Sequence, residues 1–288
     1  MIGVQLSVVI TVHDQPRELA RLLGNLGDVP SEVELIVVDD FSREENQADE
    51  RRIVGASRTP VRFLALDEWH GCGGARNAGA RIANGEWVWF VDGDDEINSR
   101  AFAHILDAIE NTTKDVLLLD YEIVKGDGST DVVRFENCRL ELWEIGIMAW
   151  CKVIRRAALI PFREKIMYED NDWWMRQCLE CRGYDTVYCV TAYCVTAYRY
   201  HQLAAGSATE VIEPLKVPRG ADPASVPTLD SFLARGDERL TTAIAWLMED
   251  LAALLKVRVD AMRYRMGESY FNALDYMIKY FKTMLRVR

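Results

Sequence analysis

The chain has 288 residues, of which 49% are hydrophobic and 27% are charged, a composition typical of a globular protein with a full core. Its formal net charge of -11 repels nucleic-acid phosphates, so we expect no general nucleic-acid binding. No apolar run reaches about 18 residues, and the N-terminus lacks a basic start, so neither a spanning helix nor a secretory signal is expected. Seven cysteines in a chain of this size favour reduced thiols and a cytoplasmic protein.

The first half of the chain alternates predicted strands and helices. Leu6–Val12 is a continuous apolar, β-branched run, which is typical of a strand buried on both faces. Asp14 as N-cap and Pro16 in the first turn predict a helix after this strand, and Ser99 predicts the cap of a later helix. Further strands are expected at 34–38, 61–66, 87–91 and 116–119, and another helix at about 73–83. This order predicts an α/β fold with an open, mostly parallel sheet flanked by helices.

The end of the chain is expected to form a helical appendage. Residues 213–230 contain four prolines and are typical of a linker, which gives a main domain at 1–212 and an appendage at 231–288. Apolar residues recur there at helical spacing. Three interpretations stay open: packing on the main domain, a homodimer, or peripheral contact with an anionic membrane surface. The membrane interpretation depends on basic and apolar residues at the end of the chain: Lys279, Lys282, Arg286 and Arg288 beside Tyr280, Phe281 and Leu285.

Acidic residues follow three of the predicted strands, at His13-Asp14, Asp39-Asp40 and Asp92-Gly93-Asp94-Asp95. Open α/β sheets bind ligands beyond the carboxyl ends of their strands. Carboxylates one residue apart suit Mg²⁺ or Mn²⁺, which prefer oxygen ligands and accept diphosphate oxygens as well. We therefore predict a metal and diphosphate site at 92–95. The alternative is an acidic turn that caps the next helix.

Two other motifs are weaker. The glycine-rich segment 71–79 is not a dinucleotide fingerprint, because Arg76 stands where that pattern needs a glycine. A glycine-rich helix start followed by arginine can still receive an anionic group. Cys178 and Cys181 lack a second pair at zinc spacing, so packing or surface thiols are favoured over a metal or redox role.

Four segments together resemble glycosyltransferase family 2, which has the GT-A fold, and in particular bacterial enzymes that build surface polysaccharides. These segments are residues 7–14, 37–42, 74–86 and 90–95, which correspond to the family's opening strand, its Val-Asp-Asp-Gly-Ser motif, the approach to the metal motif and the metal motif itself. Three later segments, 150–156, 168–173 and 198–209, match more loosely. The resemblance implies a GT-A nucleotide-sugar transferase domain.

The resemblance also implies roles for individual residues. Asp39 would bond the nucleobase in a pocket lined by Thr11, Val12 and His13, and Arg76 would contact the nucleotide. Asp92, Gly93 and Asp94 would hold the metal and the donor diphosphate, with Asp95 near the transferred sugar. Asp170, or alternatively Glu169, would be the catalytic base. His201 would be a metal ligand or a diphosphate contact.

The expected function is therefore inverting transfer of a sugar from a UDP-sugar to a glycan or lipid-linked saccharide, with Mn²⁺ or Mg²⁺, in the cytoplasm or at the inner face of the membrane. Thr11, His13, Asp14 and Phe41 depart from the family's usual residues around the nucleobase pocket, so uridine rests on the family alone. A non-catalytic glycan- or nucleotide-binding protein stays open as an alternative. A sugar-phosphate nucleotidyltransferase would need a glycine-rich basic loop after the first strand, and residues 13–16 do not form one.

Overall fold

The computed structural model describes residues 3–135, 139–166, 168–181, 183–187, 196–202, 215–216, 227–234, 238–263 and 266–285. The strands are β1 Leu6–Val12, β2 Val33–Asp39, β3 Val61–Ala65, β4 Trp87–Asp92, β5 Glu96–Ile97, β6 Val116–Leu119, β7 Tyr121–Val124, β8 Thr130–Val133, β9 Lys152–Arg155, β10 Tyr184–Val187 and β11 Tyr198–His201. The α-helices are α1 Pro16–Asn25, α2 Glu44–Gly55, α3 Gly71–Ile82, α4 Ala101–Asn111, α5 Glu169–Glu180, α6 Leu229–Leu233, α7 Glu238–Arg263 and α8 Glu268–Leu285.

Within these ranges, seven strands form the main sheet in the order β10-β6-β9-β4-β1-β2-β3. All neighbours are parallel except β9, which runs antiparallel to both β4 and β6. Every residue of β1 is buried, as its continuous apolar run predicts. The expected open, mostly parallel sheet flanked by helices is therefore confirmed.

A second, smaller sheet was not expected from the sequence. Its described strands are ordered β5-β11-β7-β8, and β5 begins directly after the acidic segment at 92–95. The pairing of β11 with β5 and β7 brings residues 198–201 back to that segment. The short, polar strands of this sheet lack a continuous apolar run, which explains why the sequence pattern did not reveal them.

Two predicted helix caps are wrong. Gln15 is the N-cap residue of α1, and Asp14 instead has a φ of 55° and accepts hydrogen bonds from Arg43 and Asn46 at the start of α2. Helix α4 begins at Ala101, and no side chain caps it, so Ser99 does not have the expected role. Pro16 does lie in the first turn of α1. Asp14 thus links the segment before α1 to the start of α2 instead of capping α1.

The C-terminal helices pack against the α/β body. The hydroxyl of Tyr270 on α8 donates to the carbonyl of Met175 on α5 at 2.9 Å, and Trp246 on α7 stacks on Trp69 with ring centroids 5.2 Å apart. The expected helical appendage is present. The linker at 213–230 lies mostly outside the described residues, and α6 begins at Leu229, inside the expected linker.

The expected membrane-facing side of α8 is largely internal. Phe281 and Leu285 are each 1% exposed, whereas Tyr280 stays at the surface, and Arg286 and Arg288 lie outside the described residues. Helix α8 buries these apolar residues because its apolar face packs on the rest of the protein. In the described part of the chain, no helix combines the length and apolar character that crossing a bilayer requires.

Candidate active site

The acidic strand ends meet on both sides of one central strand. In the register of the main sheet, Val12 of β1 lies beside Asp39 of β2, and Thr11 lies beside Asp92 of β4. Helix α3 starts at the same edge and packs closely on β1. The close approach depends on Gly79, where an added Cβ would lie 2.2 Å from a methyl group of Val9. The sheet thus brings the predicted site residues of three strands to one cleft edge.

On the β2 side of this edge, the carboxylate of Asp39 is buried, whereas the rings of His13 and Phe41 are exposed. Asp39 is fully buried, and its two carboxylate oxygens accept from the Ser42 backbone N–H at 2.9 Å and from Gln47 Nε2 at 2.7 Å. His13 is exposed, with Nδ1 2.8 Å from the carbonyl oxygen of Asp40. Phe41 is 51% exposed. A nucleobase that contacts Asp39 must share oxygens already used by Ser42 and Gln47, whereas the exposed rings offer flat surfaces for stacking.

The backbone at Phe41 is strained. Its φ of 62° lies in the left-handed region, where a bulky side chain is an outlier. Glycine, the family's usual residue at this position, adopts that conformation without steric cost. The sequence therefore keeps a tight turn after β2 and places a large exposed ring on it. Such local strain is typical of binding sites.

A buried arginine joins the two halves of the site. Arg76 is 2% exposed, and its guanidinium donates to Asp92 Oδ1 at 2.8 Å, Glu169 Oε1 at 2.6 Å and Asp170 Oδ1 at 2.9 Å. Its Nε is buried and has no hydrogen-bond partner among the described residues. The sequence predicted a nucleotide contact for Arg76. In the structure its terminal nitrogens bind protein carboxylates and form an internal ion-pair centre, and the nucleotide contact stays a prediction.

The segment 92–94 offers oxygen ligands for a divalent cation. Asp92 binds Arg76 through Oδ1, whereas the carboxylate of Asp94 has no partner from another described residue, and Arg21 donates to its backbone carbonyl instead. Burial and the negative charge of Asp92 raise the pKa of Asp94 to about 6. A bound cation would offset that repulsion, so the two residues fit Mg²⁺ or Mn²⁺ chemically. In the described ranges no three His, Cys, Asp or Glu side chains form a metal-binding group, so the remaining ligands would be donor oxygens and water.

Gly93 allows the close approach of this segment to β1. A Cβ at this position would lie 2.4 Å from Val12 Cγ1 and 2.9 Å from the carbonyl oxygen of Thr11. Its backbone N–H donates to that same carbonyl oxygen at 2.9 Å. Only a residue without a side chain fits at this distance, so Gly93 keeps Asp92 and Asp94 against the edge of the sheet.

Asp95 faces the second sheet rather than the open cleft. It is 1% exposed, accepts from the hydroxyl of Tyr198 on β11, and accepts from the His201 backbone N–H at 2.7 Å. The Tyr198 hydroxyl oxygen also accepts from the Asp92 backbone N–H at 3.2 Å. Burial, followed by the negative charges of Asp92 and Asp94, raises the pKa of Asp95 to about 8. Tyr198 and Asp95 thus fix the shape of the acidic segment.

His201 lies at the end of β11, and Nε2 of its ring is 2.9 Å from Glu96 Oε1. It forms no three-residue metal group with Asp92 and Asp94 among the described residues. Its assignment as a metal ligand or diphosphate contact stays a prediction, as does the assignment of Asp95 to the transferred sugar. The later Gly-Ser-x-Thr segment at 206–209 lies outside the described residues.

The predicted base lies at the first turn of α5. Asp170 Oδ1 accepts from Arg76, and its Oδ2 accepts from the Ala149 backbone N–H at 3.3 Å. Burial raises the pKa of Asp170, the Arg76 charge opposes this rise, and the negative charge of Asp92 adds to it. Burial also raises the pKa of Glu169. The Asp170 side chain is 18% exposed and that of Glu169 is 9% exposed, so Asp170 is the more accessible of the two.

The structure adds residues that the sequence did not assign. Tyr198 and Gln47 hold the acidic side chains, and Asp250 of α7 reaches the start of α5, where its Oδ2 accepts from the Tyr168 backbone N–H at 3.4 Å. Burial raises the pKa of Asp250 to about 8. The sequence gives one local indication that Asp250 is buried: it is a single acidic residue on the otherwise apolar face of α7 that packs on the rest of the protein. Trp150, Trp173 and Trp174 are buried in the core and present no exposed ring face to the cleft.

The family model for glycosyl transferase family 2 matches residues 7–184, which is more than half of the chain and includes the acidic site residues from Asp39 to Asp170. The chain belongs to glycosyl transferase family 2. The expected family is therefore confirmed. The matched range ends before β11, so the contributions of Tyr198 and His201 come from outside it.

Two curated relatives match parts of the chain. The succinoglycan biosynthesis protein ExoO of Rhizobium meliloti is 34% identical over 97 residues, 33% of this chain and 27% of that protein. The poly(ribitol-phosphate) beta-N-acetylglucosaminyltransferase TarS of Staphylococcus aureus is 31% identical over 125 residues, 42% of this chain and 22% of TarS. The aligned parts thus span about a quarter of each relative.

Two solved structures share the fold over nearly the whole chain. The S. aureus TarS 1–349 structure in complex with UDP-GlcNAc has a TM-score of 0.57 at 20% identity and covers 98% of this chain and 90% of that one. The mannosyltransferase PcManGT from Pyrobaculum calidifontis, in complex with GDP-Man and Mn²⁺, has a TM-score of 0.51 at 17% identity, with coverages of 97% and 85%. These matches confirm the expected fold, including the C-terminal helices.

Proposed function

We propose that this chain is a metal-assisted, inverting glycosyltransferase that moves a sugar from a nucleoside-diphosphate donor to an acceptor hydroxyl. The proposal depends above all on Arg76, whose guanidinium binds Asp92 on the donor side and Asp170 on the acceptor side. One buried side chain therefore holds a diphosphate-binding carboxylate and a candidate base in fixed relation. Family membership and the UDP-GlcNAc complex of TarS support a nucleotide-sugar donor, and a UDP-sugar is the first to test.

In the proposed reaction, Asp170 takes the proton from the acceptor hydroxyl while the hydroxyl oxygen attacks the anomeric carbon. The raised pKa of Asp170 makes its carboxylate a stronger base than an ordinary aspartate. The bond from the anomeric carbon to the diphosphate oxygen breaks as the new glycosidic bond forms, and this single displacement inverts the anomeric centre. Glu169 is the alternative base.

On the donor side, Asp92, Gly93 and Asp94 form the proposed diphosphate site, with His201 as a further contact. A Mn²⁺ or Mg²⁺ ion held by Asp92 and Asp94 would supply positive charge beside the departing diphosphate. Thr11, Val12, His13 and Asp39 form the proposed nucleobase pocket.

We also propose that residues 1–212 form the catalytic domain, 213–230 a linker and 231–288 a helical appendage, and that the acceptor is a glycan or a lipid-linked saccharide. The polysaccharide role in the name of ExoO and the polymer in the name of TarS support this acceptor class.

Incubation with UDP-, GDP- and dTDP-sugars tests the reaction, with Mn²⁺, Mg²⁺ or a chelator present. We expect release of a nucleoside diphosphate that needs the cation, and a product whose anomeric configuration by NMR is opposite to that of the donor. Tight donor binding without turnover would favour the non-catalytic binder. Release of pyrophosphate would favour the nucleotidyltransferase.

Two variants separate the donor site from the base. Asp94→Asn should abolish cation-dependent donor turnover, because a neutral amide is a weaker ligand for a hard cation. Asp170→Asn should bind donor like the wild type but transfer sugar about 10²–10⁴ times more slowly, the usual contribution of a general base. The matched control is Asp49→Asn, which changes a surface carboxylate paired with Arg52 and should leave turnover unchanged. Wild-type transfer by Asp170→Asn would place the base elsewhere.

A further inference from the structure

Helix α7 has two apolar faces, and the rest of the described chain covers only one of them. Helix α7 packs on α5 and α8. The apolar residues of its covered face are all buried: Leu240, Ala243, Ile244, Leu247, Leu251, Leu254, Val257 and Ala261. On the opposite side, four large apolar side chains are exposed by 42% to 55%: Met248, Leu255, Val259 and Met262. A helix that serves only to cover a globular domain has a polar outer face, so this second face requires another explanation.

The exposed residues follow a coiled-coil repeat. Counting from Thr241, the uncovered positions alternate in steps of four and three residues: Thr241, Ala245, Met248, Ala252, Leu255, Val259 and Met262. This is the a/d pattern of three successive heptads, and all seven positions are exposed. We call these seven residues the heptad stripe. Its regular spacing matches a partner helix that lies along its whole length, roughly 30 Å at 1.5 Å per residue.

We infer that the heptad stripe is a dimer interface, in which α7 of one copy of this chain pairs antiparallel with α7 of a second copy. The charges beside the stripe select this arrangement. Glu249 and Lys256 are both exposed and lie seven residues apart on the same edge, at the e positions of the repeat. Antiparallel helices place e positions opposite e positions, so Glu249 of each copy meets Lys256 of the other.

A parallel pair lacks this complementarity. In a parallel pair, the e positions of one helix would lie against the g positions of the other, which are Ile244, Leu251 and Arg258. The first two are apolar and buried, and Arg258 already donates to Asp275 of α8 at 2.7 Å. In the antiparallel arrangement, the two-fold axis between Glu249 and Lys256 passes near Ala252, whose small side chain lets the helices approach closely. One helix face thus makes a self-complementary surface.

Sedimentation of the full chain over about 1–100 µM tests the inference, because a specific dimer should form within this range. We expect a dimer, and the double variant Met248→Glu with Leu255→Glu should raise its dissociation constant by about 100-fold or more, since buried acids would face each other across the axis. Circular dichroism and donor affinity should stay at wild-type values. The matched control is Tyr276→Glu on α8, at a residue 74% exposed outside the stripe, which should leave the dimer intact. A monomeric wild type, or a double variant that still dimerises, overturns the inference.

A charge exchange tests the direction of pairing. Glu249→Lys and Lys256→Glu should each weaken the dimer about tenfold, because each creates two like-charge pairs, and the combined variant should restore it. Failure of the combined variant to restore the dimer overturns the antiparallel arrangement. Flotation with phosphatidylglycerol vesicles tests a lipid occupant: binding by a monomeric wild type that the double variant abolishes would assign the stripe to a membrane surface instead.

Discussion

Replacement of Arg76 by methionine tests the central ion-pair cluster. The guanidinium is 2% exposed and donates to Asp92, Glu169 and Asp170 at 2.6–2.9 Å. Methionine keeps much of the side-chain volume but leaves the buried Glu169 carboxylate and the partly buried carboxylates of Asp92 and Asp170 without their cation. Removal of one partner of a buried ion pair costs about 3–5 kcal/mol. We therefore expect the free energy of unfolding of Arg76→Met to fall by about this amount at neutral pH, out of a typical total of about 5–15 kcal/mol.

The loss should depend on pH in a definite direction. Burial already raises the pKa of Glu169 and Asp170 above their usual values, while Arg76 opposes this rise. Without Arg76 the pKa of both carboxyls rises further in the folded state. A group whose pKa is raised on folding stabilises the protein below its unfolded pKa, and this contribution is lost as the pH rises through the folded pKa. Arg76→Met should therefore lose more stability at alkaline than at acidic pH.

Urea unfolding followed by tryptophan fluorescence measures both effects, since Trp89 and Trp173 are buried in the core. The control is Arg52→Met, at a surface arginine that pairs with Asp49 and is 74% exposed, for which we expect a change below about 1 kcal/mol. Arg76→Lys provides a second variant that keeps the charge but not the fork that reaches several carboxylates. A loss below about 1 kcal/mol for Arg76→Met, or an equal loss at acidic and alkaline pH, would refute the reasoning.

Three further predictions concern residues around the site. Asp250→Asn should gain stability relative to the wild type as the pH rises from about 4 to about 8, because burial raises the folded pKa of Asp250 to about 8, above the usual aspartate value. The gain should be at most about 1.4 kcal/mol per pH unit and should level off above about pH 8. Urea unfolding at several pH values measures this gain, and a difference that does not change with pH would contradict it. Gly93→Ala should lower the free energy of unfolding by about 1–3 kcal/mol and weaken donor binding, because the new Cβ would lie 2.4 Å from Val12 Cγ1. Thermal unfolding and donor titration measure the two effects. The control is Gly126→Ala, whose Cβ would have no atom within 4 Å and which should change neither quantity. Phe41→Gly should raise the free energy of unfolding by about 1 kcal/mol by removing left-handed strain and should weaken nucleotide binding in calorimetry by loss of the exposed ring; unchanged binding would exclude a stacking role.

Local patterns in the sequence predicted the elements whose signal lies in consecutive residues. The continuous apolar run of β1 gave a fully buried strand, and the run before Asp92 gave β4. The position of the acidic residues directly after these strands predicted that they would meet at one edge, because parallel strands share their carboxyl ends. The predicted cap at Asp14 was wrong because the partner of a capping side chain is not fixed by the local sequence. The Asp14 carboxylate accepts from the Arg43 backbone N–H and the Asn46 side chain at the start of α2 instead of capping α1.

The sequence by itself therefore determined the α/β order, the motif residues and their placement at strand ends. The tertiary structure alone decided that Arg76 pairs with Glu169 and Asp170, which are more than 90 positions away in the chain. It further decided that the Tyr198 hydroxyl donates to Asp95 and that Asp250 reaches the start of α5. It also decided which apolar face of α7 is covered and which is left exposed. Spacing along a chain fixes which residues share a face, but their partners depend on the packing of elements that are distant in sequence, and no local pattern specifies that packing.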